Sequence, residues 1–287
     1  MAGIIFGVAS FVHVISRPVG WEHYRSIPWV TYVHPNKRKL EKAKALVKAG
    51  KLSEARDVII AALTSAPRSP FTRQLRDLLG ELNTRIFFSA EPSPRKTEYL
   101  VRRGDALSTI ARKLKSNADV IMRINNLGST TIRVGEMLSV PRLDFTISID
   151  MPRERVVVHD GYGFFTQYPI IAADLPPVRI PTIQTRVRAK TFSMNGEPAA
   201  SGQNGGEESI PRIYLSDRDL VLYGVDEGGE TTDPEIAVAQ SKPAGGQQSG
   251  EERDRPPRGI AMLKEDIREL EVLIRKGTPV TIVLNRQ

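Results

Sequence analysis

Tyr99–Pro141, YLVRRGDALSTIARKLKSNADVIMRINNLGSTTIRVGEMLSVP, is the stretch from which the rest of the chain is read. Tyr99 and Val101 alternate as a strand does, with side chains of one face two residues apart. Gly104-Asp105 supplies a turn, and Asp105 is placed to accept hydrogen bonds from the first amides of a following helix. Leu107, Ile110, Ala111 and Leu114 mark the apolar face of that helix. Ala118, Ile121, Met122 and Asn125 belong to a second helix, and Met137, Leu138 and Val140 to a returning strand that ends at Pro141. The predicted order is strand, helix, helix, strand.

Outward on the amino-terminal side, Ala90–Lys96 holds two prolines and no periodic pattern, and reads as a linker. Residues 36–88 are helix-forming. Leu40, Ala43, Leu46 and Val47 share one face with lysines opposite, and Gly50 stands where a C′ glycine ends a helix. Ser53 is positioned to cap a second helix, with Leu52 before it as a staple residue and Ala55, Val58, Ile59, Ala62 and Leu63 along one side. Pro67 stops it, and Ser69-Pro70 restarts a third helix as N-cap and first residue.

Outward on the other side the text turns to β pattern. FTISID, RVVVHD, FFTQYPI, VRAKTF, RIYLS, DLVLYGV and PVTIVL are runs of Val, Ile, Thr, Tyr and Phe separated by polar turns. One helix interrupts them: Lys264–Lys276 aligns Ile267, Leu270, Leu273 and Ile274, and Gly277 closes it. This is a mostly-β sandwich or barrel with one late helix. Residues 193–209 and 228–257 are rich in Gly, Pro, Gln, Glu and Ser, with too little apolar surface to offset ordering, and read as mobile loops.

The chain has 287 residues, 40% hydrophobic and 26% charged, enough for at least one sizeable core and about two domains. Zero cysteines exclude disulfides, thiolate metal sites and cysteine nucleophiles. Only His13, His23, His34 and His159 remain for a histidine zinc site, so neither metal nor cofactor is expected. Forty-one Lys and Arg against 33 Asp and Glu give +8, which draws the chain to polyanions such as nucleic acid, anionic lipid or an acidic cell wall. The longest basic run is Lys37-Arg38-Lys39 and charges are otherwise interspersed, which argues against nucleic acid.

Ala2–Ile15, AGIIFGVASFVHVI, is apolar but interrupted by Ser10 and His13, and short of the about twenty residues of a spanning helix. Trp21, Tyr24, Trp29 and Tyr32 follow, residue types that suit a membrane interface. Residues 1–33 therefore read as a membrane anchor or damaged export signal, a buried terminal element, or the product of a mis-assigned start. Only Met1 precedes the run, without the basic region a secretory signal wants.

Tyr99, Val101, Gly104, Asp105, Ile110, Ala111, Asn125, Gly135, Leu138 and Pro141 closely resemble the signature of the LysM (lysin motif) family. The resemblance, over residues 97–142, implies a βααβ module that binds N-acetylglucosamine-containing glycans such as peptidoglycan or chitin. It places the groove between Gly104, Asp105, Ala106 and Leu107 on one loop and Leu127, Gly128, Ser129, Thr130 and Thr131 on the other. Backbone groups there suit an acetamide, and Leu107 and Leu127 offer apolar walls. Neither loop has an aromatic, so one copy is expected to bind weakly and to need tethering or a second contact. A module that has kept the fold and lost the ligand is the alternative.

Lys44–Pro67 resembles one tetratricopeptide unit without a second copy, which fits a helical spacer better than a peptide-binding groove. GIAMLKEDIRELEVLIRKGTPVTIVL (259–284), with FTISIDMPRERVVVHDG (145–161), resembles the L,D-transpeptidase catalytic domain across residues 144–286. That resemblance implies a catalytic Ser-His-Gly-Cys-Ile-Arg run, which falls here on Pro257, Arg258, Gly259, Ile260, Ala261 and Met262. The family's upstream histidine falls on Tyr223. The degenerate positions are thus Tyr223, Arg258, Ile260 and Met262, and no catalytic residue is assigned. Ser216 has no histidine near it in sequence, and His159 lies in the first hairpin.

The expectation is an α+β multidomain chain: a tetratricopeptide-like hairpin, a βααβ LysM module and a transpeptidase-type β-domain. It is expected to bind peptidoglycan in the cell envelope as a catalytically inactive tether, scaffold or regulator, with a cell-wall enzyme as a further partner and membrane anchoring through residues 2–15. The alternative is a transpeptidase-family enzyme cross-linking peptidoglycan through a residue other than cysteine.

Overall fold

A computed structural model describes residues 35–89, 91, 93–175, 180–194, 197–198, 210–216, 220–228 and 259–284. The chain divides after Leu75 into two compact units. Residues 1–33, read above as an anchor segment, lie outside the described residues. Among the described residues no helix is long and apolar enough to cross a membrane.

In the first unit, α1 (Pro35–Lys48) and α2 (Leu52–Ser65) form a hairpin around Leu40, Ala43, Ala55, Ile59 and Ala62, all buried. Gly50 takes φ +75°, and the Lys51 amide reaches back to the Leu46 carbonyl at 2.9 Å, closing α1 as a Schellman turn. The N-cap of α2 is Lys51, without a side-chain bond, so the expected Ser53 cap is corrected: the helix starts one residue before that serine. Ser69 Oγ accepts from the Phe71 amide at 3.3 Å in a turn ahead of α3 (Thr72–Phe88), so the expected cap at Ser69 with Pro70 as first residue is corrected: the helix starts two residues beyond that proline.

The second unit opens with the later turns of α3. Gly80 lets this helix approach a strand residue closely, since a Cβ there would lie 2.6 Å from Thr166 Oγ1. Asn83 Nδ2 donates to the Phe165 carbonyl at 2.8 Å, and Phe87 enters an aromatic group with Phe145 and Phe165. Sequence reading treated this segment as a spacer; its burial partners are non-local and leave no mark on its own periodicity.

The next elements are β1 (Lys96–Leu100), α4 (Leu107–Lys113), α5 (Ala118–Ile124) and β2 (Met137–Pro141), the strand–helix–helix–strand order predicted. β1 and β2 pair antiparallel, Lys96 opposite Pro141 and Leu100 opposite Met137. Val101, Leu107, Ile110, Ala111, Ile121, Leu138 and Val140 form a core of their own. Val120 and Ile124 of α5 instead join the larger core of the β-domain.

Among the described residues that domain holds one ten-stranded sheet. Its strands are β3 (Thr146–Asp150), β4 (Arg155–Asp160), β5 (Gly163–Pro169), β6 (Ala172–Ala173), β7 (Thr182–Met194), β8 (Glu197–Pro198), β9 (Ile210–Leu215), β10 (Val221–Val225), β11 (Gly259–Leu263) and β12 (Pro279–Val283). The order is β5-β4-β3-β12-β7-β9-β10-β11-β6, with β8 on β7. The 13-residue β7 gives Thr182–Arg186 to β12 and Val187–Ser193 to β9, with a register shift at Val187/Ala189. A bulge there bends the strand, and both halves of the sheet bury a common core with α6 (Lys264–Leu273). Ile267, Leu270, Leu273 and Ile274 are fully buried, as their spacing predicted.

Lys190 of β7 fixes the carboxyl end of α6, donating to the Glu271 and Ile274 carbonyls at 2.9 and 3.0 Å and pairing with the Glu271 carboxylate at 2.6 Å. Of the segment 193–209, Ser193 and Met194 complete β7 and Glu197–Pro198 form β8, so these four residues are strand rather than loop; 195–196 and 199–209 lie outside the described residues. Residues 229–257 lie outside them too.

Candidate functional site

The βααβ module holds its two connecting loops at the Leu100–Met137 end of the β1–β2 pair. The first is built on Gly104 at φ +87°, where a side chain is strained. Asp105 points backward from it. Its Oδ2 accepts from the Arg102 amide at 2.8 Å and from the Tyr99 hydroxyl at 3.0 Å. The N-cap of α4 is Ala106 with no side-chain bond, so the expected capping role of Asp105 is corrected: the carboxylate closes the turn instead. The Arg102 amide bond, with help from the Tyr99 bond, holds the Asp105 carboxyl below its ordinary value, and the hydrogen bond to Asp105 pushes the Tyr99 hydroxyl up.

Leu107 was expected as an apolar wall, but its side chain is only 2% exposed and belongs to the module core, leaving its backbone to the loop. Leu127 is half-buried on the same core. Gly104, Ala106, Gly128, Ser129, Thr130 and Thr131 are exposed, and a Cβ at Gly128 would meet nothing within 4 Å. Ser129 Oγ accepts from the Thr131 amide at 3.3 Å and shapes the second loop. Asn125 anchors that loop: its Nδ2 donates to the Ile121 and Ser139 carbonyls, and its Oδ1 accepts from the Ser139 amide.

Sequence reasoning missed three apolar side chains at the same end. Leu100 is 51% exposed, Val134 69% and Met137 55%. The signal was present: with Tyr99 and Val101 turned toward the module, an apolar Leu100 falls on the outer face of β1.

The positions matched to transpeptidase chemistry lie on β10 and β11, which run parallel with Leu222 opposite Ile260 and Tyr223 opposite Ala261. Ile260 and Met262 are fully buried in the main core. Tyr223 faces the other way, packed with Val221, Val225 and Ala261. The two positions that the resemblance assigns to histidine and nucleophile therefore project from opposite faces. The glycines have steric reasons: a Cβ on Gly259 would lie 2.5 Å from the Val221 carbonyl oxygen, and one on Gly224 would lie 2.7 Å from Ile210 Cγ2. Arg258 lies outside the described residues.

His159 sits on β4 opposite Phe164, and burial lowers its pKa against the pull of Asp160. Ser216, at the end of β9, donates its amide to the Arg186 carbonyl. Neither is on β10 or β11. Among the described residues no cluster of three or more His, Asp or Glu is placed to hold a metal ion.

Compared with known proteins, residues 99–141 match the LysM domain family, and this segment forms a LysM domain. No curated protein matches the chain. Among solved structures, the Mycobacterium tuberculosis L,D-transpeptidase 1 is 8% identical over 52% of this chain and 73% of its own, with a TM-score of 0.28. A cysteine-to-serine variant of the Enterococcus faecium L,D-transpeptidase is 13% identical over 72% and 83%, also at 0.28. The Ldtfm–avibactam carbamoyl enzyme is 14% identical over 73% and 83%, at 0.29. At these scores the superpositions carry no argument about the β-domain.

Proposed function

We propose that the protein binds N-acetylglucosamine-containing glycan of the peptidoglycan type through residues 104–107 and 127–131, and that it works in the cell envelope without forming or breaking cross-links. The observation that carries this is the LysM domain with Gly104 and Ala106 of one groove loop and Gly128–Thr131 of the other exposed. Main-chain donors and acceptors on such loops suit the acetamide group, and the exposed Leu100, Val134 and Met137 add apolar surface beside them.

Catalytic silence is supported by chemistry. The chain has no cysteine. Where the resemblance puts the nucleophile, Ile260 has no lone pair and no exposure. In a well-studied hydrolase the loss of a nucleophile costs on the order of a millionfold in turnover. The β-domain then serves as a scaffold, tether or regulator beside a true cell-wall enzyme.

Cosedimentation with purified sacculi tests the binding. Gly128→Trp blocks the groove at a position with open space and an unstrained backbone. The wild type is expected in the pellet and Gly128→Trp in the supernatant; equal pelleting refutes binding through these loops. Incubation with tetrapeptide muropeptides followed by mass spectrometry tests the silence, and any cross-linked dimer overturns it.

A further inference from the structure

Where the chain passes from the LysM domain into the β-domain there is a seam, and two hollows beside it share Asp144 and Phe145 in their lining. One, of about 360 Å³, reaches from Arg95 and Arg142 to the β4–β5 turn; the other, of about 430 Å³, runs to Arg275 and Lys276. Together they are lined by four cations against the two carboxylates Asp144 and Asp160, a local surplus of positive charge.

The pairing is uneven. Arg95 and Asp160 form a well-buried ion pair, and Asp160 Oδ1 also accepts from the Tyr162 amide at 2.8 Å, so both are committed to structure. Asp144 is shared between two guanidinium groups, Arg142 Nη2 at 2.9 Å and Arg275 Nη2 at 3.2 Å. Arg142 and Arg275 remain 59% and 42% exposed, and each guanidinium carries five N–H donors in a fork that matches a carboxylate.

Tyr162 completes the rim. Asp160 pairs with Gly163, which leaves Gly161 and Tyr162 as the two-residue tip of a hairpin. Tyr162 is 67% exposed there, with the Arg95 guanidinium 5.2 Å from its ring centroid. Neither Gly161 nor Tyr162 takes positive φ, so the turn accepts any side chain at this tip and does not itself call for an exposed aromatic. Such a residue suits a binding rim, where a ring with a polar tip can meet apolar and wet surface together.

We propose that this seam is a second binding site, for a carboxylate-bearing peptide attached to the glycan. The inference rests on the peptidoglycan reading and extends it. Arg142 and Arg275 would take the carboxylate, and the free face of Tyr162 would pack on the peptide. The seam lies at the Lys96 end of the five-residue β1 and the glycan loops at its Leu100 end, about 13 Å apart at ~3.3 Å per residue. A glycan strand held by the loops therefore presents its peptide substituents within reach. Two weak contacts on one unit supply the avidity that a single aromatic-free groove lacks.

Amide NMR of the full chain tests this. Soluble N-acetylglucosaminyl-N-acetylmuramyl tetrapeptide is expected to shift the signals of Gly161, Tyr162 and Gly277 together with those of Ala106 and Gly128. The N-acetylglucosamine tetramer is expected to shift only the loop signals. Tyr162→Ala and Arg142→Gln should each weaken the disaccharide tetrapeptide about tenfold, the scale of one charge-assisted contact, and leave the tetramer unaffected. Silent seam amides, unweakened variants, or equal shifts with inorganic phosphate would overturn the peptide site. Loop amides silent to both sugars, beside responding seam amides, would instead refute the glycan reading and leave the seam standing.

Discussion

Ile260→Cys puts a thiol where the transpeptidase resemblance places its nucleophile. In this structure it enters a packed core instead of a cleft. Ile260 is 0% exposed, with Met262, Leu222 and Ile213 in the same cluster. The exchange removes about two methylene equivalents, between an Ile→Val and an Ile→Ala truncation, and should destabilise by about 2 kcal/mol. For a unit of this size that lowers Tm by about 4–8 °C. The chain has no other cysteine, so a thiol reagent such as DTNB reports this site without background. Labelling then needs the core to open. At ~4 kcal/mol of opening free energy, the native rate should be about a thousandfold below the rate in urea. Native labelling within about tenfold of the unfolded rate would refute the packing argument, because it would mean that a reagent-accessible cleft reaches this position.

Other consequences are local. Asn125→Ala removes three hydrogen bonds of 2.7–2.8 Å and should cost about 3 kcal/mol in urea unfolding; Asn125→Asp should do nearly as badly, because it cannot donate to the Ile121 and Ser139 carbonyls. Lys190→Met leaves Glu271 buried without its cation and the end of α6 uncapped, with an expected loss of about 3 kcal/mol by denaturant titration. Burial, then Glu269 and Glu265, push the Asp266 carboxyl up to about 6 against the opposing Arg155, and its Oδ2 is buried without a hydrogen-bond partner among the described residues. From about pH 4 to about 6 the unfolded chain releases this proton while the native state keeps it, so stability falls as pH rises. Asp266→Asn should therefore raise Tm at pH ~7.5, by the equivalent of about 1 kcal/mol once solvent screening of this half-buried group is allowed for, and leave Tm unchanged at pH ~3.5; a larger gain at the lower pH would refute this sign.

The LysM segment was legible because its fold residues recur at fixed spacing and each has a local task. Gly104 and Gly135 take positive φ, Asn125 ties α5 to β2, and Leu107, Ile110 and Ala111 line one helix face. What sequence reading misjudged was the direction of side chains whose partners lie nearby in either sense. Asp105 had a helix in front and a tyrosine behind, and geometry chose the tyrosine. Ser53 lost the cap because α2 begins at Leu52, two residues earlier than a cap at Ser53 requires.

Contacts between distant segments were the least legible. Val120 and Ile124 sit on a seven-residue helix that is apolar on more than one side, and only the β-domain explains the second side. Gly80 and Asn83 looked like ordinary helix residues until β5 was placed against them. Strand β11 was read as a degenerate motif rather than a strand, because its partner β10 is more than thirty residues upstream and pairs in parallel. Tyr162 gave a faint signal, an aromatic between two glycines, which became a site candidate only when Arg142 was found lining the same hollow.

Recognition of the acetamide-bearing sugar by the LysM loops is the claim on which the functional account stands. Calorimetric titration of the full chain with the N-acetylglucosamine tetramer, beside the glucose tetramer that shares its β-1,4 linkage and lacks the acetamide, tests it directly. Saturable heat with the first, none with the second, and loss of the heat in Gly128→Trp are predicted. Equal heats for both sugars, or none for either, would contradict it.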